Sequence, residues 1–195
     1  RKNRNVLLVD LDPQGSVAHS LTTSKEKSVY EFLTGSCSHV DCITPLGKNL
    51  DLIHSNDSLT KIDVFIARND NTTTLVREKF GDVAGYDYII FDCAPSLGLL
   101  NQNVMVFADD AIVPVATNHL SYVGLQQMVS AIDEINKHFG SDLQIRHIVP
   151  TMHDMRNRSN RKVLHEMQQE FAHNVTHPIR INAKLAEAPS KGRSI

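Results

Sequence analysis

No apolar run in this 195-residue sequence approaches the roughly 20 residues that a membrane-spanning helix needs, so no such helix is expected. Cysteine is scarce. Cys37, Cys42 and Cys93 are odd in number, and the Cys37-x4-Cys42 spacing matches neither a zinc knuckle nor a CxxC redox pair, which predicts reduced thiols. Ten histidines occur without HExxH or a comparable ligand spacing, so no structural metal is expected. Glycine does not cluster: Gly15, Gly35, Gly47 and Gly98 are isolated, and none lies in a G-x-x-x-x-G-K-[ST] loop. Repeats, linkers and low-complexity tracts are also lacking, and no signal peptide opens the sequence. The expected compartment is the cytoplasm.

What is present is an ordinary globular composition, 41% hydrophobic and 22% charged, enough for one domain over 1–195 with a sizeable core. The net charge of −2 hides an asymmetry. From Gln144 onward nine basic residues face four acidic ones, a net +5, leaving −7 on the other 143 residues. A basic end on a near-neutral protein suits contact with phosphate backbones, and equally describes a solvated surface.

Hydrophobic periodicity predicts strands alternating with helices. The first buried strand is Val6 to Val9, followed by a helix or tight turn at 16–20 and a short amphipathic helix over 28–35 stopped by Gly35. A turn-rich connection is expected at 43–50, a short strand at 50–54, and one or two helices over 57–80 broken near 69–71. A second buried strand covers 86–91. Then follow a helix at 99–107, a strand at 110–115 and a strong helix at 122–139 closed by Gly140, with Leu125, Met128, Val129, Ile132 and Ile135 on its core face. A strand at 143–151, a helix at 160–171 and a short strand at 177–181 complete the pattern. Such alternation implies an α/β fold, a doubly wound, mostly parallel sheet with helices on both faces.

Two of these strands end in acids. Asp10 and Asp12 close the first, spaced so that in an extended backbone both carboxylates point to one side, where open α/β sheets place their ligand crevice. Two acids there suit a bound cation or an activated water, although Asp-Pro and Gln-Gly are also ordinary turn chemistry. The second strand ends in Asp92 and runs into Cys-Ala-Pro-Ser-Leu-Gly98, the pattern by which nucleotide hydrolases hold Mg²⁺.

The segments VLLVDLDPQGS, YDYIIFDCAPSLGLLNQN, VPTMHDMR and KLAEAPSKGRSI resemble, in order and spacing, the ParA/Soj branch of the ParA/MinD ATPases, which have a deviant P-loop and partition DNA. LAEAPS is the most specific of the four. The family's KGGxGK[ST] loop would precede Arg1, with Arg1 to Asn5 as the polar end of the helix after it, so the sequence is expected to be a fragment that also stops before the last helix. A sheet without that first strand would expose a hydrophobic edge.

The resemblance implies ATP and Mg²⁺ as cofactors, with Asp12 orienting or activating the attacking water, and Asp10 and Asp92 beside the metal. Residues 95–98 match a switch region, or else a simple turn capped by Ser96. Asn182 matches the adenine-packing loop, although Arg180 stands where many relatives have Pro. Met152 and Asp154 align near the nucleotide pocket or dimer seam. Arg156 and Lys184 fall on positions that contact DNA without sequence preference, with Arg158, Arg161 and Lys162 as helpers. Also implied are an ATP-dependent homodimer, a centromere-binding ParB-like partner and a place on the nucleoid. Two alternatives stand beside this: a nucleotide-independent interaction module, and a MinD-like ATPase that cycles on membranes through a C-terminal amphipathic helix.

Overall fold

The computed structural model describes residues 3–69 and 73–192; Arg1, Lys2, the predicted break at 70–71 and Arg193 lie outside them. The chain divides into two compact units, 1–104 with 187–195, and 105–186.

The first unit is organised on β1 (Val6–Leu11), whose Leu7, Val9 and Leu11 are buried. β1 pairs in parallel with β3 (Leu50–Ile53) on one side and β4 (Tyr88–Cys93) on the other. The sheet order is β2-β3-β1-β4, and β2 (Ile43–Gly47) runs antiparallel to β3. This corrects the turn-rich connection expected at 43–50. Ile43 and Thr44 are β-branched and pair with Ile53 and Leu52, while Pro45, which cannot donate to a ladder, is tolerated because β2 is an edge strand.

The helices of this unit are short: α1 (Ser16–Ser20), α2 (Val29–Leu33), α3 (His39–Cys42), α4 (Ile62–Arg68), entered through a 3-10 turn at Asp57–Lys61, α5 (Leu75–Phe80) and the start of α6 (Leu99–Phe107). α2 begins where Ser28 caps it, accepting from Tyr30 N–H, while Glu31 accepts from the Ser28 N–H and O–H at 2.8 and 2.6 Å. Phe80 of α5 meets Phe32 of α2 and Phe91 of β4 edge-to-face, at 5.1 and 5.0 Å between ring centroids, which joins two helices to one sheet face. On the opposite face Tyr88 and Ile90 of the edge strand β4 remain exposed, at 58% and 51%.

The second unit pairs β5 (Asp110–Ala116) in parallel with β6 (Gln144–Thr151), and carries α7 (His119–Phe139), α8 (Arg158–Glu170) and most of α9 (Ala183–Glu187). Asn118 caps α7 by accepting from Ser121 N–H, and Gly140 ends it at φ 66°, as its sequence position predicts. The core is Val115, Leu125, Ile148, Val163 and Met167. Along α7, Leu125 and Ile132 are buried, whereas Met128, Val129 and Ile135 are half-buried. The strand expected at 177–181 is not one. The chain runs beside β6 and the loop after it through isolated bridges, Ile148 with Val175 and His153 with Arg180, because Pro178 removes a donor from the ladder. The architecture is α/β with a mostly parallel pairing, as the alternation implied. Among the described residues no helix is long and apolar enough to cross a membrane.

Candidate functional site

The parallel register of β1 and β4 places Asp10 directly opposite Asp92. Asp10 is fully buried, and its two oxygens accept the backbone N–H groups of Asp12 and Val17 at 3.0 and 3.2 Å, which folds the chain from β1 into α1. Gly15 sits in that turn at φ +62°, where a Cβ would stand 2.9 Å from the Ser55 carbonyl oxygen, so a larger residue is barred by both backbone and space. Asp12 holds the turn from the other side: its Oδ1 accepts from Gln14 N–H at 2.9 Å, and its carbonyl accepts from Gly15 N–H at 2.9 Å. Its Oδ2 has no partner among the described residues. The carboxylate orientation is thus fixed while one oxygen stays available.

Burial, opposed by the two backbone hydrogen bonds and reinforced by the charges of Asp92 and Asp12, pushes the Asp10 carboxyl above the usual range. Asp92 is pushed the same way by partial desolvation and by the Asp12 charge, and its carboxylate has no hydrogen-bond partner among the described residues. Three acids that repel one another are the electrostatic state a cation relieves. The described residues contain no group of three ligands able to enclose an ion by themselves. That donor set fits Mg²⁺, which keeps several waters and takes one or two carboxylates, better than a dehydrated structural metal.

The loop after Asp92 is clamped from two directions. Asn101 of α6 donates its Nδ2 to the Ala94 carbonyl at 2.7 Å and also to that of Ser96. Asp63 of α4 accepts the first N–H groups of α6, Leu99 on Oδ2 at 3.2 Å and Leu100 on Oδ1 at 3.0 Å. The expected cap, Ser96, is therefore replaced by a residue 36 positions away in sequence. A Cβ at Gly98 would collide with the Asp63 carboxylate, so the glycine is what admits the clamp. Leu11, Pro13, Leu59, Asp63 and Ser96 line a shallow pocket beside the ends of β1 and β4.

In the second unit the loop after β6 gathers the remaining sequence candidates. Met152 is exposed and adopts φ 50°, a strained value for a side chain of its size. His153 beside it is buried; its Nδ1 lies 3.3 Å from Thr117 Oγ1, and its backbone N–H donates to Ile179 while its carbonyl accepts from Ile181. Asp154 accepts the Arg156 guanidinium at 3.1 Å on each oxygen, which holds Asp154 below the usual carboxylate range and raises Arg156. Asn182 spends its Oδ1 on the Lys184 N–H at the start of α9, at 2.9 Å, and both side chains are exposed. Lys162 reaches Glu166 at 3.6 Å, while Arg158 and Arg161 are exposed and have no ion pair among the described residues.

The sequence did not point to Asp63, Asn101 or His153. The available signal for Asp63 was an acid lying between the apolar positions Ile62 and Ile66 of a short helix. Asn101 and His153 lie inside motifs that drew attention to their neighbours.

Residues 1–145 match a family described as an AAA domain. The chain is 33% identical to the sporulation initiation inhibitor protein Soj of Bacillus subtilis, over 98% of this chain and 78% of that protein. It belongs to the ParA/Soj-type partition ATPases. The chromosome partitioning protein ParA of Myxococcus xanthus is 32% identical, over 98% of this chain and 70% of its own. Among solved structures, cobyrinic acid a,c-diamide synthase of Mycobacterium smegmatis with bound ATP analog and magnesium superposes with a TM-score of 0.84 at 28% identity, covering 93% of this chain and 74% of that one. Membership in the ParA/Soj-type ATPases agrees with what the four sequence motifs led one to expect.

Proposed function

We propose that the intact protein is a cytoplasmic, nucleoid-associated partition switch: with ATP and Mg²⁺ bound it pairs with a second copy, the homodimer binds DNA without sequence preference, and a ParB-like centromere-binding partner triggers hydrolysis and release. The observation that carries the reading is Asp10 opposite Asp92 at the tips of two parallel strands, with Asp12 two residues on. Asp92 and Asp10 would hold Mg²⁺ through its waters, and the metal would neutralise charge developing on the transferred phosphoryl group. Asp12, fixed by Gln14 N–H on one oxygen, offers the other to orient the attacking water.

Met152, Asp154 and Asn182 are assigned to the nucleotide or dimer side of the second unit. Arg156 and Lys184 are assigned to DNA phosphates. Arg156 engages phosphate by giving up Asp154, an exposed pair with little to lose. Arg158 and Arg161 occupy the first turn of α8, where positive charge opposes the helix dipole and would be relieved by an incoming phosphate, which supports their role as helpers.

The deciding experiment is Asp12→Ala in the intact protein. Turnover is expected to fall on the order of a hundredfold or more, the scale of losing a positioned base, while ATP-dependent DNA co-sedimentation persists. Unchanged turnover would remove Asp12 from the chemistry, and DNA binding indifferent to Mg-ATP would favour a nucleotide-independent module.

A further inference from the structure

The cysteine spacing predicts reduced thiols, and the three are free in the structure, where the fold brings two of them together. Gly35 turns the chain at φ 81° after α2, with Ser36 N–H donating back to the Glu31 carbonyl at 2.8 Å. Asp41 then accepts from the Ser38 N–H and O–H at 3.0 and 2.8 Å, which winds α3 as a single turn. His39 packs edge-on against Phe32, seating that turn on α2. The result is that Cys37 Sγ and Cys42 Sγ lie 3.0 Å apart. Cys42 is fully buried and donates to the Ser28 carbonyl at 3.3 Å, whereas Cys37 is half-buried and open to solvent on one side.

We infer that Cys37 and Cys42 form a reversible dithiol–disulfide site that reacts with low-molecular-weight disulfides. The site lies apart from the acids of β1 and β4 and is independent of the ATPase reading. In the first step the Cys37 thiolate attacks one sulfur of a small disulfide RSSR, forming Cys37–S–S–R and releasing RS⁻, which takes up a proton. In the second, Cys42 gives up its proton, attacks Cys37 Sγ and expels the second RS⁻. Two protein thiols lose two electrons, and RSSR gains them to become two RSH.

Order and geometry both follow from the fold. Burial and the adjacent Cys37 push the Cys42 thiol up to about 12, so the solvent-facing Cys37 is the first nucleophile and Cys42 the resolving one. The sulfurs need to close by about 1 Å to reach the roughly 2.05 Å of a bond, a displacement that the short turn 37–42 can absorb. Intracellular disulfides in ordinary cells are transient and redox-sensing, which suits a pair that forms and opens without covalent damage.

The test uses the intact protein, glutathione disulfide as oxidant, and tryptic mass mapping. Residues 28–48 form one tryptic peptide containing both cysteines, and Cys93 falls in another. The expected result is that peptide 28–48 loses two hydrogens, takes up no alkylating agent, and regains two reactive thiols on reduction. Cys42→Ser, treated alike, should hold one glutathione on Cys37. A wild-type peptide that keeps two alkylatable thiols, retains glutathione without closing the bond, or links to a second copy would overturn the inference.

Discussion

Asp63 accepts two backbone N–H groups with its two oxygens, and the loop that follows Asp92 depends on that. Asp63→Asn leaves one acceptor and turns an amide N–H₂ toward a donor, at a cost of about 1 kcal/mol, the usual scale of a lost helix cap. The expected readout is faster hydrogen exchange at Leu99 and Leu100 with the rest of the first unit unchanged; unaltered protection there would show that the cap holds nothing. Asp92→Asn acts through charge instead. Because the Asp92 carboxyl is raised in the folded state, its ionisation costs stability, so wild type and variant should match below about pH 4, the unfolded carboxyl value, and diverge in the variant's favour as pH rises. Thermal melts of the metal-free intact protein across that range would measure it. The acids themselves were legible in the sequence because a spacing of two in a strand fixes a shared side. Asp63 was not, since nothing local connects it to a helix start 36 residues later.

Among the elements, the α2–α5–β4 contact rests on one ring. Phe80 is 1% exposed, and Phe80→Ala should destabilise by roughly 3–5 kcal/mol in denaturant titrations, the range for large aromatic truncations. A loss below 1 kcal/mol would mean that Phe32 and Phe91 close the gap. On α8, the double variant Arg158→Ala, Arg161→Ala should lower the dependence of log K on log salt by about 0.9 for each phosphate contact removed, measured for DNA binding by the ATP-bound protein. An unchanged slope would leave those arginines as solvated surface. Helices with a clear cap or a glycine stop, α2 and α7, were predictable to within a few residues because their signals are local. β2 was missed because Pro45 reads as a turn until its edge position is known, and the bridges along β6 were overestimated because Pro178 interrupts a pattern that is otherwise alternating.

For the molecule as a whole, the fold class followed from alternation alone, whereas the division into two units did not, because no change of composition marks residue 104 or 187. The sign asymmetry of the sequence has a place in that division: the basic residues from Arg146 to Lys184 belong to the second unit and the three interacting acids to the first. One consequence concerns filaments. The outer edge of the first sheet is β2, where Pro45 offers no N–H and the register slips between Pro45 and Gly47. A strand from another molecule arriving there would find an interrupted row of donors, so end-to-end growth of this sheet is blocked on that side however crowded the protein becomes.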